Sequence, residues 1–163
     1  MLTKQLMPES EGKIITSIRV FVYGTLKPGE NNYSKYCAKK LDGCHNRALP
    51  AYTMGELFDL GVGYPGMTMG SRLVYGYLLS FQKFGILEEL DELEDYLPGR
   101  VPSQNLYNRH QVEIFALQGK SLGLAWVYFM SPDKITSFNG VLLLPNGWWS
   151  GCGLKMEDCF VVS

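Results

Sequence analysis

One carboxylate in the sequence stands where acid or base chemistry is favoured. The segment from Phe84 to Asp95 predicts a helix with an apolar stripe centred on Leu90, at about 100° per residue. Glu94 falls about 40° from the centre of that stripe, in the last turn, where the helix dipole is negative. The stripe also holds Ile86, Leu87, Leu93 and Leu97. The five other acids lie at about 100° or beyond, where we expect water to reach them: Glu88, Glu89, Asp91, Glu92 and Asp95.

Two interpretations of Glu94 follow from this position. Burial and the negative helix end both disfavour the charged form, so they predict a raised pKa and a useful base near neutral pH. Alternatively, the side chain turns outward at a frayed helix end or pairs with Arg100 or Arg109. Periodicity favours neither interpretation over the other.

The second candidate is the segment VFVYGTLKPGE, which runs from Val20 to Glu30. Its two glycines have the spacing of a phosphate-binding Walker loop, but Glu30 stands where that motif needs lysine and would repel a phosphate. Pro28 and Gly29 suit a type II turn. An ordinary turn after a strand would explain the segment. The alternative is a cradle, in which the backbone amides of Gly24, Thr25 and Leu26 leave the sheet and bind an anionic or carbonyl oxygen.

Composition argues against several other kinds of site. The 163 residues hold four cysteines without a Cys-x-x-Cys pair and only two histidines, so we expect no metal site. Cys44 and His45 are neighbours that would point to opposite faces of an extended chain, so we expect no catalytic cysteine there. The net charge of -1 comes from dispersed charges, which predicts a small-molecule or protein partner and no nucleic acid. We expect no membrane span, no signal peptide and a cytoplasmic location with reduced thiols.

The elements that must position these residues are mainly strands. The segment around Val20 to Tyr23 is apolar on both faces, which predicts a central strand. Further strands are predicted in AYTMGELFDLG, RLVYGYLLSF, LYNRHQVEIFAL and SLGLAWVYFM, the last two as a hairpin joined by QGK. GVGYPGMTMGS predicts a glycine-rich loop. We expect one domain over residues 1–163, with 1–13 flexible. Because regular strand and helix alternation is absent, the predicted fold is α+β with a mostly antiparallel, barrel-like sheet.

Aromatic residues give weaker signals. Tyr107, Trp126 and Tyr128 alternate with aliphatic residues on predicted strands, a pattern typical of core or pocket wall and less often of a hydroxyl that contacts a substrate. The tail from Ile135 onward resists assignment. In it, Trp148 and Trp149 fit either a cleft cover or a partner surface.

Four segments in combination resemble the gamma-glutamyl cyclotransferase-like family. They are FVYGTLKPGE, LDELEDY, YNRHQVEI and AWVYF, and they span about Val20 to Phe129. The resemblance implies a small mixed barrel with flanking helices, and a substrate cavity lined by the loop that here is Tyr23, Gly24, Thr25 and Leu26. It also implies that the catalytic glutamate is Glu94. The family motif usually continues with glycine, where this sequence has Asp95, whose charge would raise the pKa of Glu94 further if the two carboxylates are close.

The chemistry that the resemblance implies is intramolecular. The α-amine of a γ-glutamyl group attacks its own γ-carbonyl, which closes 5-oxoproline and expels an amine or amino acid. Glu94 would act as general acid and base, the loop amides and Tyr128 would bind the substrate, and neither a metal nor an organic cofactor is needed. Two other hypotheses remain: a non-catalytic domain that binds a small molecule, and an enzyme that transfers or hydrolyses a different amide in the same pocket. The identity of the leaving amine and the oligomeric state are not predicted.

Overall fold

The computed structural model describes residues 17–37, 48–82 and 85–160. Its strands are β1 (Ile18–Val22), β2 (Leu49–Asp59), β3 (Pro65–Phe81), β4 (Asn108–Ala116), β5 (Ser121–Phe129) and β6 (Leu142–Leu143). Its α-helices are α1 (Tyr33–Tyr36), α2 (Ile86–Leu93), α3 (Pro132–Thr136) and α4 (Met156–Cys159), and one 3-10 turn covers Pro102–Gln104. The predicted flexible residues 1–13, the pair Cys44 and His45, and the predicted helix start at Phe84 lie outside the described residues.

The strand pairings close into a ring. β3 pairs with β1, β1 with β5, β5 with β4, β4 with β2, and β2 again with β3, while β6 joins the outer side of β2. All of these pairings are antiparallel except that of β1 with β5. The α+β fold with a mostly antiparallel, barrel-like sheet is therefore confirmed.

β1 is the central strand that the sequence predicts. It pairs with β3 on one side and β5 on the other. Val20 and Val22 pack into one apolar core, with α2, and Phe21 packs into a second core on the opposite face. The backbones of β1 and β3 approach so closely that a Cβ on Gly76 would lie 2.1 Å from the Val22 carbonyl oxygen. Glycine is therefore required at that position.

The predicted glycine-rich loop GVGYPGMTMGS is wrong for most of its length. β3 begins at Pro65 and pairs with β2 from Asp59 opposite Pro65, so only residues 60–64 form the hairpin loop. The glycines within β3 serve close packing instead of turns: a Cβ on Gly66 would lie 2.7 Å from the Ile135 Cδ1 atom. Glycine in a strand often marks such a close approach.

The tail that the sequence left unassigned packs against the loop after β1. Trp148 and Trp149 are both buried, and their rings lie 4.4 Å and 5.4 Å from the Lys27 Nζ atom, which is itself completely buried. Lys27 donates to the Trp149 carbonyl at 2.6 Å and contacts Glu30 at 3.4 Å. Glu30 in turn accepts from the Gly151 amide at 3.0 Å. This Lys27–Glu30 clamp, as we call it, fixes the tail to the loop.

Candidate active site

A cavity of about 420 Å³ opens where β1 ends, beside the end of α2. That volume lies within the range of small-molecule sites. Residues from β1 and the loop after it, the β2–β3 hairpin loop, the end of α2, the segment just before β4, and β5 meet there. The lining residues are Phe21, Val22, Tyr23, Gly24, Thr25, Leu26, Asn31, Asn32, Val62, Gly63, Tyr64, Pro65, Leu93, Glu94, Leu106, Tyr107 and Tyr128. The predicted residues Tyr23, Gly24, Thr25, Leu26, Glu94 and Tyr128 thus line one cavity.

The end of α2 places Glu94 in this cavity. Ile86 and Leu90 anchor the helix in the core beneath it. The helix ends in a Schellman turn, in which the Asp95 amide donates to the Glu92 carbonyl and the Tyr96 amide to the Asp91 carbonyl. Because α2 ends at Leu93, the predicted helical position of Leu97 is wrong, and this side chain is 56% exposed.

Burial changes the acidity of Glu94. Protein surrounds its carboxyl on the cavity wall, and this desolvation raises the pKa of Glu94 from its ordinary 4.5 to about 8. Among the residues that the structure describes, the expected partners Arg100 and Arg109 pair with other acids, namely Asp95 and Asp91. Asp95 turns its carboxylate to Arg100 at 3.0 Å, and burial is the cause of the Glu94 shift.

Asp91 contradicts the prediction that five acids of α2 face water. It is only 5% exposed and accepts hydrogen bonds from Arg109 Nε at 2.8 Å and Nη2 at 3.1 Å. The Tyr128 hydroxyl donates to the same carboxylate at 2.6 Å. These partners come from β4 and β5, so a helical wheel of α2 alone could not place them. A buried carboxylate is tolerated here because it is paired and hydrogen-bonded.

The loop after β1 is held by its own backbone. The Lys27 amide donates to the Gly24 carbonyl, and the Glu30 amide donates to the Lys27 carbonyl, both at 3.0 Å. Gly29 has φ of 90°, as the predicted type II turn requires. Asn32 closes the loop by donating from its amide to the Thr25 carbonyl and from Nδ2 to Thr25 Oγ1, each at 3.0 Å.

Three consecutive amides of this loop keep their donors open. Within the described residues, the N–H groups of Gly24, Thr25 and Leu26 have no acceptor among backbone or side-chain atoms. A Cβ on Gly24 would lie 2.9 Å from two ring atoms of Pro65. Glycine therefore lets the loop approach the cavity wall, and the three amides are candidate donors for a carboxylate or an oxyanion.

Three of the four tyrosines that line the cavity donate hydrogen bonds to the protein. The Tyr23 hydroxyl donates to the Tyr128 carbonyl, and the Tyr107 hydroxyl donates to the Pro65 carbonyl, each at 2.6 Å. Burial and the charge of Glu94 raise the pKa of Tyr23, Tyr107 and Tyr128, so all three hydroxyls stay protonated. Sequence reasoning gave Tyr107 as core or pocket wall without choosing it as a site residue, and it did not single out Asn32. The signal for Tyr107 was its expected burial, since a buried phenol needs a hydrogen-bond partner.

No three His, Cys, Asp or Glu side chains converge into a metal site in the described ranges 17–37, 48–82 and 85–160. No helix within these ranges is long and apolar enough to cross a bilayer.

Comparisons with known proteins identify the family of the chain. Residues 20–151 match the sequence model of a family described as gamma-glutamyl cyclotransferase, AIG2-like. The chain is 34% identical over 128 residues to the gamma-L-glutamyl-butirosin B gamma-glutamyl cyclotransferase of Niallia circulans, covering 77% of this chain and 76% of that enzyme.

Solved structures share the fold. YkqA of Bacillus subtilis superposes with a TM-score of 0.54 at 22% identity, over 82% of this chain and 39% of YkqA. An AIG2-like protein of Mus musculus superposes with a TM-score of 0.51 at 21% identity, over 82% of this chain and 88% of the mouse protein. By the extent of the family match and the identity to the Niallia enzyme, the chain belongs to the AIG2-like gamma-glutamyl cyclotransferase family.

Proposed function

We propose that this protein is a gamma-glutamyl cyclotransferase that converts the γ-glutamyl group of a small molecule to 5-oxoproline and releases an amine or amino acid. The observation that carries the proposal is the juxtaposition in one cavity of Glu94, a half-buried residue whose pKa is raised by desolvation, with the backbone of Gly24, Thr25 and Leu26. Membership of the family and the activity named for the Niallia relative support the same reaction.

Glu94 is suited to move the proton of this reaction. With a pKa of about 8 it is mostly protonated in the empty site at neutral pH, and a bound ammonium group would favour its ionised form. The carboxylate then accepts a proton from the α-ammonium of the substrate. The free amine forms a bond to the γ-carbonyl carbon, and the bond to the leaving nitrogen breaks as Glu94 returns the proton to that nitrogen. The ring nitrogen then loses its second proton to the Glu94 carboxylate, which passes it to the released amine or to water.

The loop amides supply the other half of the chemistry. Three N–H donors on rigid backbone can hold the α-carboxylate of the substrate or stabilise the oxyanion that forms at the γ-carbonyl. Because nucleophile and carbonyl belong to one molecule, the main task of the cavity is to hold the cyclising conformation. The chain's own side chains and amides account for every step, so the proposed reaction needs no metal or organic cofactor.

Product analysis distinguishes this proposal from its alternatives. The protein is incubated with γ-glutamyl amines, γ-glutamyl amino acids and glutathione, and products are identified by mass spectrometry. Cyclotransfer gives 5-oxoproline and the free amine in equal amounts. Glutamate in place of 5-oxoproline would identify amide hydrolysis by water, and binding without any product would identify a non-catalytic domain; either result overturns the proposal.

A further inference from the structure

The carboxylate of Asp91 fastens the last turn of α2 to two strands. It accepts hydrogen bonds from Arg109 Nε at 2.8 Å and Nη2 at 3.1 Å, which tie the helix to β4. The Tyr128 hydroxyl donates to the same carboxylate at 2.6 Å, which ties the helix to β5. Because the guanidinium contact has two points and the phenol adds a third, the Asp91 side chain has little freedom to rotate.

The backbone around Asp91 carries this constraint to Glu94. The Glu94 amide donates to the Leu90 carbonyl, and the Tyr96 amide donates to the Asp91 carbonyl, both at 2.9 Å. Leu90 itself is completely buried. Glu94 therefore lies in a short turn whose backbone hydrogen bonds end on Leu90 and Asp91, and a shift of Asp91 would move Glu94 with it.

Arg109 also contacts the far end of this turn. Its Cζ atom lies 5.1 Å from the centre of the Tyr96 ring and 4.4 Å from that of the Trp126 ring. A planar guanidinium can stack on aromatic rings while it holds a carboxylate at two points. One side chain thus holds the segment that contains Glu94 at both ends, by Asp91 before it and by Tyr96 after it.

We propose that Asp91 and Arg109 are positioning residues that hold the Glu94 carboxyl on the cavity wall. Neither residue is among those that line the cavity, so both act through Glu94 and not through contact with a substrate. Their opposite charges offset each other, and the effect on Glu94 is one of geometry. The inference rests on the proposed function in one respect: the rate that depends on this geometry would be that of the cyclotransfer reaction.

The test compares two substitutions of Asp91 that remove the same charge. Asp91→Asn keeps an oxygen that can accept from Arg109 and Tyr128, whereas Asp91→Ala keeps none. Arg109→Lys keeps the positive charge but loses the two-point contact and the planar stacking. Glu56→Gln is the matched control, because it removes a carboxylate from an exposed ion pair with Arg72, outside the cavity lining.

The first readout is the rate of 5-oxoproline formation, measured at a temperature where circular dichroism shows each variant to be folded. Asp91→Ala should lower kcat about thirtyfold and change KM less than about threefold, because a catalytic group is displaced while the binding surface remains. Asp91→Asn should recover most of this loss, because it restores the hydrogen bonds without the charge. Arg109→Lys should lower kcat about fivefold by the same displacement. Glu56→Gln should match the wild type.

The second readout needs no turnover. Carbon-13 NMR follows the titration of the Glu94 carboxyl in each variant, and the signal is assigned by its loss in Glu94→Gln. In Asp91→Ala the displaced carboxyl should reach water, so the pKa of Glu94 should fall from about 8 toward its ordinary 4.5. In Asp91→Asn and Glu56→Gln the pKa of Glu94 should stay near its wild-type value.

The outcomes separate this inference from the proposed function. Wild-type kcat and an unchanged Glu94 titration in Asp91→Ala overturn the positioning role, even though the protein forms 5-oxoproline. Equal effects of Asp91→Ala and Asp91→Asn would assign the effect to charge and contradict the inference. If no γ-glutamyl compound is turned over, a Glu94 pKa that falls in Asp91→Ala but not in Asp91→Asn supports the positioning role and removes the cyclotransferase.

A second variant decides if Asp91→Ala does not fold. Arg109→Lys is then compared with the wild type by the same two readouts. A lower kcat together with a lower pKa of Glu94 supports the positioning role, and unchanged values of both overturn it.

Discussion

At the scale of the single residue, desolvation of the Glu94 carboxyl costs stability when the group is charged. The same desolvation gives Glu94 the raised pKa that its proposed role as acid and base needs. A carboxyl with a pKa of about 8 is protonated in the folded protein at pH values where the unfolded chain is ionised. The helical wheel placed Glu94 on the apolar side of the helix, and in the structure this residue lies on the cavity wall just after the end of α2. The wheel could not show what surrounds its carboxyl, since the other walls come from β1, the loops and β5.

Replacement of Glu94 should change how stability depends on pH. Between about pH 4.5 and pH 8 the folded state retains a proton that the unfolded state releases, so the contribution of Glu94 to stability is full below this window and lost as pH rises through it. Glu94→Gln lacks this titration. Its melting temperature should therefore rise relative to the wild type by roughly 5 °C from about pH 5 to pH 8.

Thermal melts of wild type, Glu94→Gln and Glu92→Gln across this range provide the measurement. Glu92 lies on the exposed side of the same helix, so its variant should follow the wild type. If the melting temperatures of wild type and Glu94→Gln changed with pH in the same way, Glu94 would titrate in the folded protein as it does in water.

At the scale of the element, the end of α2 carries a local strain. Asp95 occupies the left-handed position of the Schellman turn with φ of 54°, a conformation that favours glycine. Its side chain gains only a partly exposed ion pair with Arg100, and such pairs contribute little. The turn directs Glu94 into the cavity, so the strain and the site share one short segment.

Two variants at this position isolate the backbone effect, because both remove the carboxylate. Asp95→Gly relieves the left-handed conformation, whereas Asp95→Ala retains it, so the glycine variant should be more stable by about 1 kcal/mol. Urea denaturation of the two proteins measures the difference. Equal stability of the alanine and glycine variants would show that the turn relaxes away from this geometry.

The elements also show where sequence reasoning succeeds and where it fails. β1 and the β4–β5 hairpin follow from local periodicity and turn chemistry, and both are present. The start of β3 was not predicted, because its glycines suggested a loop. In the structure Gly66 instead packs closely against Ile135, which is distant in the sequence. Asp91 was wrongly predicted to face water, because the partners that make its burial possible, Arg109 and Tyr128, belong to other elements.

At the scale of the whole molecule, the tail and the loop after β1 behave as one unit. The hydrogen bond from Lys27 to Trp149 joins residues 122 positions apart, which explains why no local pattern assigned the tail. In the sequence, Glu30 argued against a phosphate-binding loop. In the structure its carboxylate lies 3.4 Å from the Lys27 Nζ atom. Burial lowers the pKa of Lys27, and the nearby Glu30 opposes that shift.

Breaking one half of the Lys27–Glu30 clamp should be costly. Lys27→Met keeps an apolar stem between the tryptophans but leaves Glu30 buried without a cation, which predicts a loss of about 3 kcal/mol. The double variant Lys27→Met/Glu30→Gln removes the unpaired charge and keeps an acceptor for the Gly151 amide, so it should recover part of this loss. Urea denaturation measures both. A double variant no more stable than the single one would contradict the buried ion pair.

The central claim is that Glu94 moves the proton of a cyclotransfer reaction, and its most direct test is the rate of 5-oxoproline formation. With the best γ-glutamyl substrate at saturating concentration, Glu94→Gln should lower kcat by at least about a hundredfold, within the range lost with a general acid and base, while its folded structure remains. Glu92→Gln, two residues away on the exposed side of α2, should retain the wild-type rate. Formation of 5-oxoproline by Glu94→Gln at the wild-type rate would contradict the account.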